Sequence, residues 1–100
     1  MSVASLIEAR TPEWAELAAD VAWLRGRAGR SIDAARAAAF ARRYRAACSD
    51  LALAAALRFP PATREHLQQL VADAHTQLYR IESFSLLRWL RQRDNLPHHR

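Results

Sequence analysis

The fold turns on residues 31–61, SIDAARAAAFARRYRAACSDLALAAALRFPP. Within this stretch Ala37, Phe40, Tyr44, Ala47, Cys48, Leu51 and Ala55 recur at helical spacing and share an arc of roughly 100°. Ser31 is placed to cap the helix, with Asp33 inside the first turn. The run extends to about Arg58, where Pro60-Pro61 must break it, because proline removes a donor and restricts the residue before it. The many alanines favour helix and let a neighbouring backbone approach closely.

Outward on the N-terminal side, Thr11-Pro12-Glu13-Trp14 reads as another helix start. Thr11 can cap, Pro12 suits the first turn, and Glu13 suits the positive end of the dipole. Trp14, Leu17, Ala18, Val21 and Leu24 then form one face, and Gly26 and Gly29 end the helix in a basic loop. Residues 1–10 read as a lead-in segment, helical or extended, with Leu6 and Ile7 docking on the bundle. On the C-terminal side a third helix carries Leu67, Leu70, Val71, Ala74, Leu78 and Ile81. Ser83 either caps a short last helix, Phe84 to about Arg93, or lies inside a continuing third one. Residues 94–100 read as a flexible tail. Short connections between long helices favour antiparallel neighbours. The expected fold is therefore all-α, one domain over 11–93: an antiparallel bundle of three main helices plus a short C-terminal amphipathic helix.

Composition agrees. The chain has 100 residues, room for one core. Alanine supplies 22 of its 51 hydrophobic residues, so large apolar side chains are scarce. Two Gly and four Pro argue against an all-β fold. A single Cys excludes an intrachain disulfide framework and suits a reducing compartment. The N-terminus lacks a basic start followed by a long apolar run, so no secretory signal is expected. The longest apolar run, Leu51 to Leu57, falls well short of the about 20 residues a membrane span needs.

Chemistry-bearing constellations are few. His66 and His75 lie nine positions apart, on opposite sides of a helix. Cys48 and His75 can meet across two helices, but two ligands do not close a zinc site. Cys48 sits on an apolar stripe, where a thiol is ordinary packing. No Gly-rich phosphate loop is present. No catalytic residue, metal ligand or cofactor is assigned, and the chain reads as a non-enzyme. His75 flanks the Val71–Leu78 stripe, from which an imidazole can bond Tyr44 or a carboxylate and fix helix register.

The 15 Arg and no Lys, against 10 acidic residues, give a net charge of +5. Arg36, Arg42, Arg43 and Arg45 cluster on the second helix but point in several directions, and Asp33 and Asp50 flank them. No base-reading helix can be placed, which argues against nucleic acid. Phe84, Leu87, Trp89 and Leu90 alternate with Arg88 and Arg91. This segment either completes the core or lies at a lipid headgroup boundary with its arginines snorkelling outward. Trp23 and Leu53 point away from their helices' stripes, as partner anchors or as a second core face.

Three segments, Leu6-Ile-Glu-Ala-Arg-Thr-Pro-Glu-Trp14, Phe40-Ala-Arg-Arg-Tyr-Arg-Ala-Ala-Cys-Ser-Asp-Leu-Ala52 and Leu70-Val-Ala-Asp-Ala-His-Thr-Gln-Leu-Tyr-Arg80, occur in that order. This arrangement resembles the cytoplasmic N-terminal region of the stage II sporulation protein M family of bacterial and archaeal membrane proteins, over about residues 6–93. The resemblance implies a non-enzymatic scaffold that works through protein contacts, in the cytoplasm and at the inner face of the membrane. In the family's named member, such a scaffold recruits peptidoglycan-degrading partners. It also implies that Trp14, Tyr44, Asp50, His75 and Tyr79 serve helix packing. In that family a basic amphipathic stretch like Phe84–Arg93 leads into the first membrane span. Here the chain stops at Arg100, as expected of an excised head domain or a short stand-alone relative. The alternatives from the residues themselves are a free-standing helical adaptor, self-associating or bound to a protein partner, and a basic nucleic-acid module.

Overall fold

A computed structural model of the chain describes residues 2–27 and 32–95, with side chains described as far as Ser83 and at Leu90 and Arg91. The described residues form three helices and no strand: α1, Val3–Arg25; α2, Ala34–Ala56; and α3, Pro61–Asn95.

Helix α1 begins earlier than the sequence suggests. Ser2 caps it by accepting from the Ser5 N–H at 3.0 Å. Residues 3–10 are thus its first turns rather than a separate lead-in, and Pro12 falls inside the helix. Its ring removes the N–H that would reach back to Glu8. Thr11 turns its hydroxyl onto the Ile7 carbonyl at 2.7 Å. The early turns persist because Val3, Leu6 and Ile7 pack against the core and Arg10 finds a partner on α2.

Asp33 caps α2, its Oδ1 accepting from the Arg36 N–H at 2.7 Å. Ser31, the expected cap, lies outside the described residues. The helix ends at Leu57 through a Schellman turn: Phe59 N–H reaches the Ala54 carbonyl at 3.0 Å, while Arg58 takes a left-handed φ of 55°. Phe59 is buried beneath this turn. Pro61 then opens α3 at the position where its missing donor costs nothing. Helix α3 runs unbroken through Ser83, so Phe84–Arg93 forms its last turns and not a separate fourth helix.

Cross-helix bonds fix the directions. Arg10 with Asp50 and Arg43 with Asp20 set α1 antiparallel to α2. Tyr44 meets His75, so α2 is antiparallel to α3, and α1 runs parallel to α3. The core is thin: Trp14, Leu17, Val21 and Leu24 of α1 close on Phe40, Ala47 and Ala54 of α2 and on Leu67, Leu70 and Ala74 of α3. Ala47, Ala54 and Ala74 have essentially no exposure, which lets the helices approach closely around Phe40, Leu17 and Leu67. Each of those three large side chains is worth about 2–3 kcal/mol of burial. Ala18 and Ala55, expected on the buried faces, are exposed. On α2 the buried arc is rotated toward Asp50 and Ala54, because Asp50 has partners that draw it inward.

The bundle is long, 64 × 28 × 19 Å. The pairing of Tyr44 with His75 places the first turn of α2 level with roughly residue 86 of α3 at equal rise per residue. The remaining turns of α3 therefore run beyond the start of α2.

Candidate functional site

The densest polar construction joins α1 to α2. Arg10 and Trp14 stand one turn apart on α1 and converge on one carboxylate oxygen of Asp50, Arg10 Nε at 2.9 Å and Trp14 Nε1 at 2.8 Å. Asp50 is buried, and the Trp14 ring also sits 6.5 Å from the His66 ring of α3. Two turns further along α1, Arg43 of α2 donates to Asp20 at 2.8 Å and lies 3.2 Å from Glu16. The hydrogen bond to Asp20, reinforced by the neighbouring acids, holds the Arg43 proton more tightly than in free arginine. Between these two clasps lies an open cleft of about 300 Å³, lined by Arg10, Glu13, Trp14, Glu16, Ala39, Arg42, Arg43 and Ala46. Its charges are mixed, and Arg10 and Arg43 already hold carboxylates.

On the α2–α3 side, the Tyr44 hydroxyl and His75 Nδ1 share a 3.2 Å hydrogen bond, the contact the sequence offered as one option for His75. The phenol proton is held above the ordinary value of 10.0, first by the hydrogen bond with Cys48, then by burial and the negative charges of Cys48 and Glu82. A neutral phenol can donate to Nδ1 when the imidazole is neutral. Trp14, Tyr44, Asp50 and His75 thus all make cross-helix contacts. Tyr79 does not: it is 67 % exposed, so the packing role expected for it is corrected.

The two off-stripe residues do not form one surface. Trp23 is half-buried beneath two guanidinium groups, Arg36 Cζ at 3.5 Å and Arg27 Cζ at 4.6 Å from the ring centroid. Leu53 is exposed, and Leu57, one turn on, is exposed beside it. Leu53 lies 17 residues beyond Arg36 on the same helix, about 25 Å away. Of the headgroup-boundary candidates, Leu90 and Arg91 are exposed; the side chains of Phe84, Leu87, Arg88 and Trp89 lie outside those described.

Topology sorts the charge. A cut through Asp20, Tyr44 and His75 divides the molecule across its long axis. Toward the end of α1 and the start of α2, with Asp20 at the cut included, the described side chains include seven arginines (25, 27, 36, 42, 43, 80 and 91) against three acids (20, 33 and 82). Toward the other end there are four arginines (10, 45, 58 and 64) against six acids (8, 13, 16, 50, 65 and 73). The molecule has a basic end and a mildly acidic one, which the linear sequence does not display.

Sequence reading missed Arg10, Asp20 and the buried Gln77 of α3 as structural residues. Arg10 carried one usable signal, its spacing of four from Trp14. Among the described residues no group of three or more metal-binding side chains comes together, and no helix is long and apolar enough to cross a membrane.

No curated protein and no solved structure matches the chain. A family model, described as Domain of unknown function (DUF8413), matches residues 4–80, which span α1, α2 and the part of α3 packed against them. The chain belongs to that family.

Proposed function

We propose that the chain is a non-enzymatic helical scaffold that works by presenting surfaces, one of them a basic end that meets an anionic membrane. The observation that carries this reading is the end-to-end separation of charge. The basic end is also the end from which the last turns of α3 depart, bearing the amphipathic pattern Phe84, Leu87, Arg88, Trp89, Leu90 and Arg91. Arginine near an anionic surface and tryptophan at its boundary are a physical match for lipid headgroups. The resemblance to the cytoplasmic region of the stage II sporulation protein M family supports the same reading, with the cytoplasm as the proposed compartment. The test is flotation of the full chain with anionic vesicles. Binding should weaken with added salt and with removal of residues 84–100. Equal flotation of full and truncated chains would remove the last turns of α3 from the reading.

A second reading is favoured by Leu53 and Leu57, 42 % and 44 % exposed and one turn apart at the end of α2. Their position at the opposite end from Trp23 allows a protein partner or a second copy to dock independently of the membrane-facing end. Light scattering of wild type and Leu53→Glu separates the cases: a dimer that Leu53→Glu abolishes establishes self-association, and a monomer in both leaves only another protein.

A further inference from the structure

We propose that Trp23, Arg27 and Arg36 form a clamp for a phosphate group, and that this phosphate is the headgroup of an anionic lipid. The inference deepens the membrane-surface reading and rests on it.

Of the eleven arginines whose side chains are described, eight make no ion pair among the described residues, and of those eight Arg27 and Arg36 are the two that lie over an aromatic ring. Arg10, Arg25 and Arg43 each hold a carboxylate, on Asp50, Asp73 and Asp20 with Glu16 respectively. Arg27 and Arg36 make no ion pair among the described residues, although both lie over one indole ring. Their distances from the Trp23 centroid bound the separation of the two guanidinium carbons at about 8 Å. That is within the Debye length at physiological salt, so the two like charges feel each other. Asp20 holds Arg43 and Asp73 holds Arg25, while Asp33, still an anion as it caps α2 through Oδ1, makes no ion pair with Arg27 or Arg36 among the described residues. Arg27 Nε is buried without a hydrogen-bond partner. Two cations stacked on one indole within about 8 Å of each other, neither in an ion pair among the described residues, are placed to share an anion. Stacking on the indole restrains both guanidinium groups, and the N–H forks of arginine match phosphate oxygens in pairs.

Lipid suits this arrangement better than nucleic acid. A duplex or single strand is tracked by a row of phosphate contacts, with bases stacked or read beside it. Here the paired cations sit on one half-buried indole near the end of α1, a side chain whose apolar body and polar N–H suit a membrane boundary. The last turns of α3 leave from that same end.

The test is co-flotation of the full chain with phosphatidylglycerol vesicles diluted in phosphatidylcholine. Arg27→Gln with Arg36→Gln is compared with Arg58→Gln and Arg64→Gln, which remove the same charge from the opposite end. The clamp pair should weaken vesicle binding about thirtyfold, roughly fivefold per arginine, and the control pair by less than about twofold, being farther than a Debye length from the surface. Trp23→Phe should keep binding and Trp23→Ala should lose it. Equal losses in both arginine pairs would overturn the clamp in favour of diffuse charge. Unchanged binding by the clamp pair overturns the clamp and leaves the membrane reading standing, whereas no binding by wild type removes both. Displacement by excess inorganic phosphate at constant ionic strength would overturn the lipid assignment and make free phosphate the ligand. Tighter wild-type binding to duplex DNA than to the vesicles, lost in the clamp pair, would overturn it in favour of a nucleic-acid contact.

Discussion

Trp14 donates its indole N–H to Asp50 across 2.8 Å, and both residues are buried. The tie joins α1 to α2 where the core holds few large side chains, and Arg10 on the same oxygen supplies the charge that lets a carboxylate sit there. Truncating Asp50 strands two donors and a partly buried cation, so Asp50→Ala should cost about 3 kcal/mol. Asp50→Asn retains an acceptor for the indole and should cost about half as much. Urea unfolding of the three proteins checks the order, and a near-neutral Asp50→Ala would mean that the clasp is incidental to stability.

Arg43 is a weaker clasp of the same kind. It bridges Asp20 and Glu16, but its side chain is 35 % exposed and that of Glu16 59 %. Solvent screening discounts the raised proton affinity that Asp20 gives it. Arg43→Ala should therefore cost only about 1 kcal/mol, and the difference from wild type should shrink in concentrated salt. Thermal melts at low and high salt measure both.

Tyr44 introduces a pH dependence whose sign follows from its raised phenol pKa. A group that holds its proton more tightly when folded supports the fold fully below its unfolded value, here 10.0, and loses that support as pH rises through the folded value. Wild-type stability should decline above about pH 10, and Tyr44→Phe should flatten that decline. At neutral pH the same substitution should cost about 1 kcal/mol for the lost hydrogen bond to His75. Urea midpoints across the alkaline range test the slope; an identical slope in Tyr44→Phe would assign the titration elsewhere.

The residues of α1 and their partners show how far spacing could be read. The stripes of Trp14, Leu17, Val21 and Leu24 and of Leu67, Leu70 and Ala74 are buried as their periodicity predicts, because apolar transfer decides those positions. Periodicity ranks a carboxylate as surface, so only the family resemblance singled out Asp50. Its burial depends on Arg10 and Trp14 from 36 to 40 residues away. Thr11-Pro12 carries the local chemistry of a helix start, yet tertiary contacts of Leu6, Ile7 and Arg10 carry α1 through it. The Arg27–Trp23–Arg36 stack and the separation of charge exist only once α2 folds back along α1. Those were beyond any one-dimensional reading.

Arg58 closes α2 in a conformation that favours glycine. Its φ of 55° is the left-handed position of the Schellman turn, where a Cβ costs roughly 1–2 kcal/mol, and the side chain is exposed. Glycine would relieve that strain but add freedom to the unfolded chain, offsetting part of the gain. Arg58→Gly should thus stabilise the bundle by about 0.5 kcal/mol, while Arg58→Ala, which keeps the Cβ, should gain nothing. Arg58→Val should be worse than both, since branching at Cβ crowds this region further. The Phe59 N–H bond to Ala54 is available in every variant, so the series isolates the backbone cost. Chemical unfolding that ranks valine above glycine would show that the turn is not held in the left-handed form.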